Sequence, residues 1–224
     1  MKTSFKRVLV PLLLVLPAVV QGQFTFTSNS GTITITRYTG PGGAVTIPDA
    51  TNGWPVTSIG GYFNDASWEG AFEDCTNLTS ATIPNSLTAI GSDAFGCCTN
   101  LASVYFQGNA PGLGGTNVFS YAANVTLYYL PGTTGWSTNF AGRPTALWLP
   151  KMQISDASFG VGTNQFGFTI TWASGMTVVV EACTNLANPT WIPLATNTLS
   201  GGSAYFSDPQ WTNYPARFYR VRSP

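Results

Sequence analysis

Along the first two-thirds of the chain, apolar and polar residues recur with a long period. A lone strand or helix would repeat at about two or 3.6 residues instead. Ala71-Phe72, Cys75-Thr76-Asn77-Leu78 and Ile83 are matched by Ala94-Phe95, Cys98-Thr99-Asn100-Leu101 and Phe106, a spacing of 23. The preceding segments echo each other too: Ile47-Pro48 with Val56 to Gly60, then Ile83-Pro84 with Leu87 to Gly91. The first copy is longer by 13 residues, which the pattern predicts as loop insertions at Asp49–Pro55 and Gly61–Gly70. A degenerate third copy runs through Phe119 and Asn124-Val125-Thr126 to Pro131, and Ala146 to Pro150 is a last candidate rung. One such unit cannot bury its own apolar face, so the copies are expected to stack as coils around a shared core.

Strand side chains alternate between faces. In Ala81-Thr82-Ile83 the outer residues are expected to face the core and Thr82 to face out. The same register along the array predicts an outward row of Thr46, Thr82, Tyr105, Tyr129 and Trp148. Aromatic side chains on an exposed sheet can anchor a protein or a glycan. They can equally brace one another across strands or lie under another part of the chain. The alternation alone does not choose between these.

The repeat Cys75-Thr-Asn-Leu-Thr-Ser-Ala-Thr-Ile-Pro-Asn-Ser-Leu-Thr-Ala-Ile-Gly-Ser-Asp-Ala-Phe-Gly-Cys97, with Tyr38 to Pro48, resembles the BspA type of leucine-rich repeat over about residues 38–150. The resemblance implies a leucine-rich-repeat solenoid. It also implies a bacterial surface or secreted protein, of which some members are adhesins. This chain departs from the pattern in its few coils, its two insertions and Gln107 in place of proline.

From Met152 the repeat gives way to short alternating runs: Phe166–Trp172, Met176–Ala182, Ala204–Phe206 and Arg217–Arg222. Turn clusters at 173–175, 184–189 and 200–202 separate them. This spacing predicts a small antiparallel β-sandwich. The chain is therefore expected to be mainly β. Its parts are a signal peptide at 1–22, an N-terminal cap and solenoid at 23–150, and a β-sandwich-like module at 151–224. The first part is read from Lys2, Lys6 and Arg7, followed by the apolar run Val8–Val20 and small polar residues, a secretory pattern too short and proline-broken to span a membrane. Export to the cell surface or beyond follows.

Composition narrows the chemistry. Charged residues are 8% of the chain, and its formal net charge is zero. Loss of the three leader cations leaves no basic stripe, which argues against a nucleic-acid partner. There is no histidine, so His-based triads and most zinc or iron sites are excluded. No cofactor or metal is expected. Glycosidase chemistry would need two facing acids. The clustered candidates are Asp65, Glu69, Glu73 and Asp74 at the second insertion, where solvated surface acids are the simpler reading. Cys75 and Cys98 share a repeat position, so they form either a ladder of buried thiols, the preferred reading, or a disulfide permitted by export. Asn77 and Asn124 fit the glycosylation sequon but also sit at repeat positions where an asparagine can cap a turn. Three functions remain open. The first is a non-catalytic module binding protein or glycan through the solenoid sheet. The others are a structural component of an envelope or extracellular assembly and, less favoured, a carbohydrate-active enzyme.

Overall fold

The computed structural model describes residues 23–63 and 68–224; the leader and Asp65 lie outside the described residues. Among the described residues the structure is built of strands, with no α-helix. Two parallel sheets line the repeat region. The longer stacks Gly43–Thr46, Leu78–Ile83, Ser103–Phe106, Thr126–Tyr129 and Arg143–Leu147 in that order, all parallel. The shorter stacks Thr32–Tyr38, Trp54–Ile59, Ala89–Ile90 and Gly112–Leu113. The first three coils each contribute one strand to each sheet and return through a turn, which is the arrangement expected of a solenoid, while the last two contribute only to the longer sheet.

The two insertions are hairpins and not loops. Ala50–Thr51 folds back on Trp54–Ile59 through Asn52-Gly53, both at positive φ (53° and 81°). An Asn-Gly pair takes that double left-handed turn at little cost. Gly61–Phe63 pairs with Trp68–Gly70.

The core follows the repeat. Val45, Ala81, Val104 and Leu127 form one buried row of the longer sheet, and Ile83 and Phe106 lie in the next. At the turn side, Tyr38, Phe72, Phe95 and Phe119 form a continuous stack with ring centroids 5.1, 4.8 and 5.4 Å apart. Offset stacking at this spacing adds to the area that each ring buries. Intervals of 23 and then 24 residues thus return a phenylalanine to the same place in successive coils. Both ends of the stack are closed. The antiparallel hairpin Phe24–Asn29 and Thr32–Tyr38 covers the first coil, with Phe24 against Tyr38 and Phe72. At the far end Trp136 packs on Phe106, Tyr129 and Phe140.

Gly42 shows how closely the coils approach. Its φ is +92°, and a Cβ there would lie 2.6 Å from the backbone carbon of Asn77 in the next coil. Both the conformation and the space require glycine.

Beyond residue 150 two antiparallel sheets share a second core. One joins Lys151–Met152, Gln165–Thr171, Gly160–Gly162 and Ser203–Asp208; the other joins Ile192–Thr198, Thr177–Cys183 and Phe218–Arg222. Phe168, Ile170, Trp172, Val178, Val180, Leu199 and Phe206 fill the space between them. Leu130 and Trp148, from the last coils, pack into the same cluster. The indole Nε1 of Trp172 donates to the carbonyl of Trp148 at 2.7 Å.

Candidate interaction surface

The register of the longer sheet fixes which side chains face away from its core. Thr46, Thr82, Tyr105, Tyr128 and Ala146 stand side by side on successive strands. Thr46, Thr82 and Tyr105 of the expected row stand in line, and the register puts Tyr128, not Tyr129, beside Tyr105. Tyr129 stands in line with Ile83 and Phe106, and its ring lies flat on Trp136 at 5.1 Å and 7°. Trp148 is reached two residues beyond Ala146, on the same side of the chain, and its ring leans over Tyr105 at 4.9 Å. Tyr105 stacks on Tyr128 at 5.1 Å. Two positions earlier a hydroxyl row, Ser80, Ser103 and Thr126, lies on the same face. All of these except the exposed Thr46 are half-buried.

The rings therefore do brace one another, and the C-terminal sheets lie against one end of the row. Between the two runs a groove of about 300 Å³ lined by Thr82, Tyr105, Trp148, Leu149, Lys151, Thr171 and Trp172. Tyr128, Lys151, Thr171 and Trp172 were not expected here from sequence. The first could have been found by allowing a one-residue slip in the third coil; the others depend on how the C-terminal sheets dock.

The other candidate residues have structural surroundings. All four cysteines are free thiols in this structure, Cys98 and Cys183 buried and Cys75 and Cys97 half-buried. Cys98 is fully buried and donates to the Phe72 carbonyl at 3.0 Å. Burial pushes its thiol up to about 12, because an ionised sulfur there would lose hydration. Glu73 accepts from the Gly70 amide at 2.8 Å, closing the second hairpin onto the coil. Asp93 accepts from Ser92 and Ser120, both at 2.9 Å. In the sheets beyond residue 150 Glu181 accepts from Arg220 at 2.6 Å and Arg222 at 2.9 Å. Hydrogen bonds from Arg222 and Arg220 hold its carboxyl below the usual range. Asp208 faces Arg217 at 2.7 Å and accepts from the Tyr219 hydroxyl at 2.9 Å. Burial, and then that bond to Asp208, raise the Tyr219 phenol. Among the described residues no group of three or more His, Cys, Asp or Glu could hold a metal ion.

Residues 67–137 match the model of the BspA type leucine rich repeat region in six copies. A leucine rich repeat protein of T. pallidum is 19% identical, with 48% of this chain and 69% of that one covered and a TM-score of 0.32. A leucine-rich repeat protein from Bacteroides capillosus is 30% identical, with 48% and 68% covered and a TM-score of 0.31. No curated protein matches the chain.

Proposed function

We propose, from the premise that the chain belongs to the BspA-type leucine-rich-repeat proteins, that it is an exported, non-catalytic interaction module. Its contact surface is the outward face of the longer parallel sheet. In this reading residues 1–22 are a signal peptide, 23–150 form the solenoid that carries the face, and 151–224 form a module that braces its last coil. The repeat family points to protein interaction, and among the described residues no helix is long and apolar enough to cross a membrane.

The observation that carries the reading is the row Thr82, Tyr105 and Tyr128 beside Ser80, Ser103 and Thr126. It presents two stacked, part-exposed aromatic rings and a line of short hydroxyls on a rigid sheet. Tyrosines held this way offer contact area without losing much rotamer freedom on binding, which favours affinity. Carboxylates such as Asp93, Glu181 and Asp208 are engaged in holding turns and strands, which supports a non-catalytic role.

The test is binding of the purified chain to a panel of immobilised extracellular-matrix proteins and mucins, repeated with Tyr105→Ser/Tyr128→Ser. A Thr57→Ala variant on the shorter sheet serves as control. The reading expects binding that the double variant loses about tenfold or more, as for loss of an interface hot spot, with the control unchanged. Equal binding by both variants would remove the face from the account.

A further inference from the structure

We propose that the groove between the outward sheet face and the C-terminal sheets binds a carboxylate-bearing sugar; this rests on the reading of the face as an interaction surface and names its ligand class. The distribution of charge points to an anion. Arg37 is engaged, Arg143 donates to the Phe119 carbonyl at 2.5 Å, Arg217 pairs with Asp208, and Arg220 and Arg222 share Glu181. Lys151 is the remaining cation among the described residues, and its ammonium has no ion pair or hydrogen bond there. It is aimed at the groove by strand alternation: its neighbour Met152 packs into the C-terminal core, so Lys151 faces the opposite way. Among the described residues no carboxylate lines the groove. An uncompensated ammonium in an acid-free recess favours an anion.

The walls of the groove suit a sugar. Tyr105 is fixed between Tyr128 and Trp148, which leaves a rigid aromatic surface beside the Thr82 and Thr171 hydroxyls. A sugar ring offers a C–H face for the aromatics, hydroxyls for the threonines and, where oxidised, a carboxylate for the lysine. An acidic peptide would gain most by pairing its backbone with a free strand edge. Among the described residues the groove's one unpaired strand edge is Lys151–Met152, two residues long and too short to hold a peptide strand. Thr82 lies between paired Thr46 and Tyr105, and Thr171 between paired Lys151 and Ser203. Side-chain chemistry must therefore supply the recognition, which favours the sugar.

The experiment is calorimetry on the purified chain with three acidic trisaccharides, containing galacturonate, glucuronate or sialate. Neutral counterparts lacking the carboxylate and an Asp/Glu hexapeptide complete the set. At least one acidic sugar should bind about tenfold more tightly than its neutral counterpart, the size expected of one charge-assisted contact. Lys151→Gln should remove that preference and leave the neutral sugar unaffected. Lys151→Arg should retain it, and Tyr105→Ala should weaken acidic and neutral sugars alike. Equal affinity for acidic and neutral sugars, an unchanged Lys151→Gln variant, or tighter binding of the hexapeptide would each overturn the assignment. So would no binding to any sugar, and if matrix proteins or mucins were still bound through Tyr105 and Tyr128, the interaction reading would survive that failure.

Discussion

Replacing Phe95 by alanine is the sharpest perturbation of the solenoid. The ring is fully buried and stacked between Phe72 at 4.8 Å and Phe119 at 5.4 Å. Truncating a buried phenylalanine costs about 3–5 kcal/mol. Each lost aromatic pair is worth about 0.5–1.5 kcal/mol beyond area. Two pairs are lost here, so the upper end of the first range applies, about 4–5 kcal/mol. With a urea slope of about 2 kcal/mol per molar, the midpoint falls by about 2 M. The assay is equilibrium urea unfolding followed by circular dichroism, with Phe95→Leu and Tyr121→Ala for comparison. Tyr121 occupies the turn beside the next coil but is 78% exposed, so its truncation is expected to leave the midpoint in place. Phe95→Leu keeps most of the volume and should lose less than half as much. A Phe95→Ala midpoint within about 0.5 M of the parent, well below any core truncation on this slope, would refute the stack as the spine of the repeat.

Gly42→Ala should destabilise by about 1–3 kcal/mol, as overpacking does, because the added methyl meets the Asn77 backbone and φ is positive; thermal unfolding measures this. Cys98 should resist alkylation in the native chain at pH 8 and react at once in urea, as mass spectrometry would show. Its native thiol holds its proton more tightly than the unfolded one. That contribution to stability is complete below pH 9 and is lost as pH rises from 9 toward 12, so Cys98→Ala should flatten the alkaline limb of stability against pH. Glu181 has the opposite sign. Its carboxyl is held below the usual value, so its contribution is present above about pH 4.3 and is lost as pH falls further. Glu181→Gln should make the unfolding of the C-terminal module less dependent on pH in that acid range, read by its melting temperature at a series of pH values.

The repeat was legible because stacking makes each coil obey the same constraint. Phenylalanine recurs at 72, 95 and 119, and the strand residues 82 and 105 follow at the same interval. Counting failed where the third coil gains one residue between Phe95 and Phe119 and drops one between Val125 and Thr126. Aligning Asn124 with Asn77 therefore lands on Tyr129, whereas the hydrogen-bond register lands on Tyr128. The first hairpin was announced by Asn52-Gly53 and needed only the turn rule to be seen. The strand Ile192–Thr198 was harder, because it lies at a sheet edge with much of its length exposed and carries no clean alternation. The groove at Lys151 was not legible at all. Its walls come from coils and sheets far apart in sequence, and that lysine's isolation emerges only once every other described cation has found its partner.

The most direct test of the central claim is hydroxyl-radical footprinting of the chain with and without a protein partner from the panel. The account predicts that Tyr105, Tyr128 and Trp148 lose labelling on binding, while Tyr121 and Tyr205, exposed elsewhere, keep theirs. Unchanged labelling at Tyr105 and Tyr128, with protection at Tyr121 or Tyr205 instead, would contradict it.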